Sequence, residues 1–432
     1  MNKVNSGNAS KFIGKEVTAF GFVQDLRLLG KMAFIKIKDV YGVIQIVIKE
    51  EQKELMKKAG GLTKESYIEV RGIVIENKQS RTGIEMQPNK IEIITKAEPV
   101  PLDTSGKIDS GSKARFDYRF LDLRTPEQAA LFRIRGKVFR AVADYFDSKD
   151  FICINTPKLT VLGVESGAEL FKVDYFGKPA YLSQSPQVYK QMMLSAGFNK
   201  VYEVGPVFRA EKSHTTRHLT EFTGIDLEVA DIKDENDVMD YVEGLIKHIA
   251  DVVRKECKDE LKMLGKEVNE VKKIPRISMK EAKEMLAKKG KNLKETDDFD
   301  AEAEKLLGEI IKEKHGSELI FVYSYPIEIR PFYHMRRNEN KNLTKSFDLM
   351  WNGTEIATGA QREHRVDILA KQAGEKGLDL SKMKDYEMIF KYGIPKHGGC
   401  GLGLDRIVEK MLKLENIRDV VLLPRDPERV SP

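Results

Sequence analysis

Cysteine and histidine are scarce in this chain: three cysteines (Cys153, Cys257, Cys400) and seven histidines among 432 residues. Scattered as they are, they offer neither a disulfide framework nor zinc-ligand spacing, and a reducing cytoplasm is the expected setting. Long apolar runs are absent. None reaches about 18 residues, and the polar start Met1-Asn2-Lys3 lacks a signal-peptide hydrophobic region, so a soluble chain with no membrane partner is expected. The common nucleotide loops are missing as well. No GxxxxGK[ST] occurs and no GxGxxG opens a helix after a strand, so neither a P-loop nor a dinucleotide fold is supported. Nor does charge of one sign dominate. With 32% charged residues and a net charge of +6, the chain suits a polyanionic partner without requiring one.

What is present divides into three regimes. Such a length predicts two or three domains. From Glu16 to about Thr95 the runs are short, alternating and β-branched: VTAFGFV, MAFIKIKDV, GVIQIVI, SYIEVRGIVI and NKIEIIT. Five such strands predict a small closed barrel, and a helical stretch from Glu51 to Lys58 falls between the third and fourth, where an OB-fold places its helix. The barrel domain is assigned to residues 1–98, and the Pro-, Ser- and Gly-bearing residues 99–124 to a linker. Thr125 and Pro126 then cap and open an amphipathic helix running to about Ser148. Strand-like runs alternate with helices through the rest of 125–432, which predicts a largely antiparallel sheet packed on helices. The class is α+β. Residues 259–316, rich in Lys, Glu and Ala, read as a helical insertion whose charges form a solvated face.

The chemistry concentrates between Phe208 and Glu228. Arg209 and Glu211 stand two apart, as residues sharing one strand face would, and Arg217-His218 and Glu221-Phe222 return on the second arm of a hairpin. Cations, an acceptor for a purine edge and a stacking ring are the groups needed to hold ATP. A surface hairpin laced with salt bridges is the plain alternative for each residue taken singly. Downstream, HGGCGLGLDR brings glycines that admit a close backbone approach, then Arg406 at a helix start, a geometry suited to phosphate. Read alone, the same segment is a glycine-rich turn under a helix. Asn352-Gly353 signals a two-residue hairpin turn that would set Met350 opposite Glu355 and Asp348 opposite Ala357. Asp348 and Glu355 then lie diagonally on one face. Two such carboxylates repel unless a cation sits between them or neighbouring basic residues pair with them, and hard oxygen ligands beside phosphates imply Mg2+.

These motifs, in this order, resemble those of the class II aminoacyl-tRNA synthetases, and within them the aspartyl-tRNA synthetases of archaeal and eukaryotic type. The resemblance spans about residues 16–432: Pro157 for the first signature, FRAE…RHLTEF for the second, GLGLDR for the third. The HIGH and KMSKS signatures of class I are absent. It implies an OB-fold for the anticodon, a catalytic domain built on an antiparallel sheet, ATP and Mg2+ as reactants, and a homodimer formed through the first signature. Arg209 would contact the α-phosphate and the substrate carboxylate, Glu211 the adenine amino group, Phe222 the purine face, and Arg217 and His218 the γ-phosphate, with Leu219 beside them. Arg406 would clamp the nucleotide's far side, and Asp348, Glu355 and Thr358 would carry the metal.

SQSPQVYKQ resembles the aspartyl signature QSPQxxKQ, and GAQREHR supplies Arg362. Lys190 and Arg362 would face the aspartate side chain, so that a neutral amide leaves two buried cations uncompensated and is rejected by roughly 10⁴. Gln187 and Asp226 would hold the substrate's backbone end, Glu165 a loop closing over it, and Thr358 its vicinity. On the barrel, Phe34, Gln45 and Glu92 match the anticodon contacts, although alternation also allows Phe34 to face inward. Ser213 matches the position touching the discriminator base. Gln24 and Lys90 lie where the choice between tRNA-Asp alone and tRNA-Asp with tRNA-Asn is made. Thr358, Cys400 and Asp405 depart from the commoner residues of the pattern. Arg425 and Pro427 fit its terminal segment.

Three other readings fit parts of the pattern: an asparaginyl-tRNA synthetase, a synthetase-like tRNA-binding protein without catalysis, and an amide-forming synthetase that uses no tRNA. QSPQxxK with the two cations weighs against the first, the intact ATP and metal ligands against the second, and the barrel against the third.

Overall fold

The computed structural model describes residues 2–80, 82–106, 108, 110–161, 170–212 and 215–432. It separates into two compact units: the chain up to Ile134 with Asp259–Gly265, and Arg135–Lys258 with Lys266–Ser431.

The first unit is a barrel because five strands bury one face each. A short β1 (Asn2–Val4) runs parallel to β2 (Glu16–Leu29), followed by β3 (Met32–Asp39), β4 (Gly42–Lys49), β5 (Tyr67–Glu76) and β6 (Ile84–Thr95). The order is β1-β2-β3-β4-β6-β5, closed by pairing of β2 with β5. Alternation sends Val17, Ala19, Ile35, Ile37, Ile46, Ile48, Ile68 and Val70 inward. The helix Lys53–Gly60 lies between the third and fourth barrel strands, as the pattern predicts for an OB-fold. Phe34, flanked by the buried Ala33 and Ile35, is only partly buried, which decides its orientation outward. Residues 99–124 carry two short helices, Gly111–Asp117 and Arg119–Asp122. A buried ionic knot ties them to the barrel: Lys38 Nζ lies 2.7 Å from Glu65 and donates to the Thr104 carbonyl at 3.0 Å, while Arg124 reaches Glu65 at 3.1 Å and covers the Phe22 ring at 3.8 Å.

The second unit is an eight-stranded sheet in the order β13-β14-β15-β16-β17-β12-β11-β7. Its strands are β7 (Ile152–Cys153), β11 (Lys200–Phe208), β12 (Glu221–Ala230), β13 (Arg276–Ser278), β14 (Leu319–Tyr323), β15 (Ser346–Trp351), β16 (Glu355–Gln361) and β17 (His397–Gly403). A separate small sheet holds β8 (Leu159–Thr160), β9 (Lys172–Tyr175) and β10 (Lys178–Leu182). The six central strands are antiparallel and the two edge pairings, β13 with β14 and β7 with β11, are parallel. The long helix starts at Pro126 as expected, with Thr125 Oγ1 accepting from the Gln128 N–H at 3.4 Å, and ends at Asp147. Near that end, Phe146 packs on Phe151 and Tyr202.

Three expectations change here. First, HGGCGLG is a strand in the middle of the sheet, so the glycine-rich turn that stood as the plain alternative does not form. Glycine is a poor strand former, yet at Gly399 a Cβ would lie 2.0 Å from Glu228 Oε2 and 2.2 Å from the Leu227 carbonyl, so the buried carboxylate leaves room for nothing larger. Second, the Asn352-Gly353 turn forms, with both residues at positive φ (46° and 68°), and Met350 faces Glu355, but Asp348 faces Thr358 and not Ala357. A bulge beside Leu349 and Met350 absorbs one residue. Glu355 and Thr358, three apart, therefore share the Asp348 face, where an unbroken period of two would separate them. Third, the insertion is not merely a solvated face. It supplies β13, and its helices Met279–Lys288 and Ala301–His315 bury Ala282, Leu286, Ala303, Leu307 and Ile311 against Ile320, Val322 and Met350 of the sheet.

Gly399→Ala is expected to cost about 1–3 kcal/mol through overpacking, seen as a lowered thermal midpoint. An unchanged midpoint would show that the strand is not constrained in this way.

Candidate active site

One cavity in the second unit collects most of the residues singled out above. Its floor is a set of buried charges. The helix Gln187–Ser195 presents Gln187 and Lys190 one turn apart, and β12 presents Asp226 and Glu228 on one face by its period of two. Lys190 Nζ donates to Asp226 at 2.9 Å and lies 3.2 Å from Glu228. Arg362, just past β16, donates from Nε to Glu228 at 3.0 Å and from Nη2 to Gln187 Oε1 at 3.1 Å. All five residues are at least nine-tenths buried. Burial by itself would lower the Lys190 pKa, but Asp226 and Glu228 outweigh it and raise it. Burial would raise that of Glu228, but Arg362 and Lys190 outweigh it and lower it. His334 completes the ring with Nε2 3.0 Å from Arg362 Nη1, and burial, then Arg362, hold it neutral. Its Nε2 therefore accepts, its Nδ1 carries the proton, and that N–H has no partner among the described residues. Gln187 Nε2 is a second buried donor without one.

The opposite end is cationic. β11 stops at Phe208, so Arg209 and Glu211 do not share a strand face as the spacing suggested, but the Arg209 N–H bonds the Thr220 carbonyl at 2.9 Å and both side chains line the cavity. They lie 3.8 Å apart, with the Arg209 guanidinium 5.4 Å from the centre of the Phe222 ring. His218 and Leu219 line the same wall beside Arg217. Burial, only partly offset by Glu211, holds the His218 pKa below the ordinary histidine value. Glu221 remains exposed and does not line the cavity. Arg406, in the first turn of the helix Leu404–Met411, donates to the Glu355 carbonyl at 2.9 Å. The preceding Asp405 is buried, accepting from Arg135 Nη2 at 2.9 Å and from the Thr223 N–H at 2.9 Å, so it holds this helix to β12.

Between the two ends stand the carboxylates. Asp348 Oδ2 accepts from Arg330 at 2.5 Å, while the buried Oδ1 has no hydrogen-bond partner among the described residues. Burial and the Asp348 charge raise the Glu355 pKa. No cluster of three or more His, Cys, Asp or Glu side chains suited to a metal occurs among the described residues. An orphaned oxygen beside a second carboxylate nonetheless fits a hard divalent cation that completes its shell with phosphate and water, the usual habit of magnesium.

Comparison with known proteins agrees with this geometry. Residues 111–427 match the family of class II tRNA synthetases (D, K and N), and residues 17–94 match the OB-fold nucleic acid binding domain. The chain belongs to the class II tRNA synthetases. It is 45% identical over 423 residues to the aspartate–tRNA(Asp) ligase of Pyrococcus horikoshii, covering 97% of each chain. It is 42% identical to the aspartate–tRNA(Asp/Asn) ligase of Methanopyrus kandleri, covering 97% of this chain and 96% of that one. Among solved structures, the aspartyl-tRNA synthetase of Entamoeba histolytica superposes with a TM-score of 0.91 at 32% identity, covering 100% of this chain and 93% of that one. The asparaginyl-tRNA synthetase of Pyrococcus horikoshii complexed with asparaginyl-adenylate superposes with 0.92 at 33%, covering 100% of both.

In this synthetase Gln187, Lys190, Arg209, Glu211, Arg217, His218, Leu219, Phe222, Asp226, Glu355, Thr358, Arg362 and Arg406 all line the one cavity, and Asp348 pairs across the strands with Thr358. Glu165 and Ser213 lie outside the described residues. On the barrel, Phe34 pairs with Arg27 and Val47, Gln45 with Lys36, and Glu92 with Glu69, so the register does not bring Phe34 and Glu92 together. Lys90 is already engaged with Glu92 at 2.8 Å. Glu228, His334 and Arg330 were missed. Glu228 was legible, since it stands two residues after Asp226 on the same strand face. Nothing local marks His334 or Arg330, which reach the site from a segment between β14 and β15. The expected pair of uncompensated cations is also corrected: Asp226 and Glu228 neutralise Lys190 and Arg362 before any substrate arrives.

His397, at the start of β17, bonds Gln191 at 2.7 Å and the Pro395 carbonyl at 2.8 Å, and burial drives its pKa down to about 4. Unfolded, the same histidine takes up a proton near pH 6.5, so acidification favours the unfolded chain over the window from about 6.5 down to about 4. His397 alone is expected to remove about 2 kcal/mol of stability between pH 7 and pH 5. The thermal midpoint of His397→Gln should then fall less over that interval than the parent's, and equal falls would refute the assignment.

Proposed function

We infer that this synthetase activates L-aspartate with ATP to aspartyl-adenylate and pyrophosphate, then passes the aspartyl group to a terminal ribose hydroxyl of tRNA-Asp. The observation that carries the reading is a single cavity with three arginines at one end, Glu355 in its wall with Asp348 paired across the strands from Thr358, and a ring of buried donors on the floor. Arg209 neutralises the α-phosphate as the aspartate carboxylate attacks it, and Arg406 and Arg217 take up charge on the outgoing pyrophosphate. Their guanidinium groups are held by the protein before substrate arrives, which is where such sites gain most of their rate. Phe222, beneath Arg209, supplies a purine-sized platform and Glu211 an acceptor for the adenine amine. Asp348 and Glu355, with Thr358 beside them, would hold magnesium, which when bound neutralises phosphate charge. No side chain needs to act as a nucleophile, because proximity and charge stabilisation supply the barrier reduction.

Choice of amino acid rests on donors. Lys190, Arg362, the His334 Nδ1–H and Gln187 Nε2 surround the floor, and a carboxylate accepts from all of them. An asparagine amide nitrogen turned toward these donors would set donor against donor, the costly arrangement for a buried group. Fold similarity does not separate the two amino acids, since structures of both kinds superpose equally well. The relatives named for aspartate, at 45% identity, support aspartate.

We propose further that the chain is a cytoplasmic homodimer that reads the anticodon with the outward face of the barrel, Phe34 stacking on a base and Gln45, Glu92 and Lys90 reading edges. No helix among the described residues is long and apolar enough to cross a membrane. Exposed Phe139, Ile152, Leu159 and Val161, on and after the long helix, support pairing of two copies there.

Arg209→Ala or Arg406→Ala should lower ATP–pyrophosphate exchange by roughly 10²–10³, and near-parental exchange in either variant would sink the proposed roles. Charging assays with tRNA-Asp and tRNA-Asn transcripts should show aspartate transfer to tRNA-Asp. Transfer to both would make the enzyme relaxed in its range, and transfer to neither would overturn the assignment.

A further inference from the structure

The insertion places one more carboxylate at the nucleotide end. Glu304, in the first turn of the helix Ala301–His315, has a side chain only 21% exposed, with Oε2 3.7 Å from Arg217 Nη1. Its place is set by a contact that tolerates no side chain. A Cβ on Gly308 would lie 2.6 Å from the Gly353 nitrogen, and one on Gly353 would lie 2.7 Å from the Glu304 carbonyl. The helix therefore seats directly on the turn joining β15 to β16, the strands bearing Asp348 and Glu355. Burial, then the nearby Glu355, raise the Glu304 pKa to about 7, against the pull of Arg217 and Arg406. A carboxylate so held repels phosphate directly, and it pairs with an arginine that the proposed function gives to phosphate.

We propose that Glu304 is a positioning residue that holds Arg217 while no nucleotide is bound and yields it to the terminal phosphates of ATP. The inference rests on the reading of Arg217 as a ligand of those phosphates. The exchange is one anion for another on the same guanidinium, and no bond is made or broken. Glu304 keeps Arg217 from folding back onto Glu211 or into solvent, at a cost in affinity that falls only on nucleotides long enough to reach Arg217. AMP, lacking the β- and γ-phosphates, does not displace it.

The test is equilibrium binding of ATP and of AMP, in excess magnesium and without aspartate, to the full chain and to its variants. Glu304→Gln removes the charge at constant size and should bind ATP about three- to tenfold more tightly, with AMP affinity unchanged. In an Arg217→Ala background the same substitution should have no effect on ATP, because the groups act as a pair. Unchanged or weaker ATP binding in Glu304→Gln overturns the inference. Failure of the underlying reading looks different: Arg217→Ala would then bind ATP as the parent does, whereas loss of ATP affinity in Arg217→Ala with no effect of Glu304→Gln sinks the inference alone.

Discussion

The second unit is organised around four charges almost wholly withdrawn from water. Lys190, Asp226, Glu228 and Arg362 come from one helix, one strand and the segment after another strand, and each is tolerable in the interior only because the others are there. A buried ion left without its partner costs several kcal/mol, so the cluster dictates where the helix Gln187–Ser195 and the end of β16 must sit against β12. It also dictates one residue of β17. The strand crossing behind Glu228 runs as glycine at 398, 399, 401 and 403, and at Gly399 the carboxylate occupies the space a methyl group would need. Gly399, two residues ahead of the third signature, thus has a packing reason of its own.

The same cluster changes how selectivity is understood. Two bare cations waiting for an anion would be a simple design, but in an apolar interior such a site would be hard to form before substrate bound. The structure balances them in advance, and what is left for the substrate is geometry. In the proposed function, donors of fixed direction do the selecting of a carboxylate over an amide, among them an imidazole whose neutral state is enforced by burial and by Arg362. At the other end of the cavity arginines and carboxylates stand 3.7–3.8 Å apart, and the proposed function gives the balancing of these charges to phosphates and a metal.

Legibility from the sequence followed the range of the interactions. The barrel was legible because alternation of Val and Ile with polar residues reports a local burial pattern, and the helix after the third strand falls where the period breaks. The start of the long helix at Pro126 and the Asn352-Gly353 turn were legible for the same reason: a cap and a two-residue turn involve only neighbours. The bulge next to that turn was not. It moves Asp348 from Ala357 to Thr358 and brings Glu355 and Thr358 onto one face, a one-residue shift that the alternation of the strands does not announce. The insertion was misjudged on similar grounds. A helix rich in Lys and Glu is usually a solvated one, and only the seating of Gly308 on Gly353 brings Glu304 to Arg217.

By itself the sequence determined the class of structure, the family and most of the charged side chains lining the cavity, because those depend on periodicity and on motifs that keep their order along the chain. Tertiary structure alone decided that Glu228 neutralises Lys190 and Arg362, that His334 and Arg330 enter from a distant segment, that HGGCGLG is a strand, and that the insertion reaches Arg217. Each of these is a contact between residues far apart in the chain, formed to satisfy a buried charge or fill a space, and neither demand is visible until the chain has folded around it.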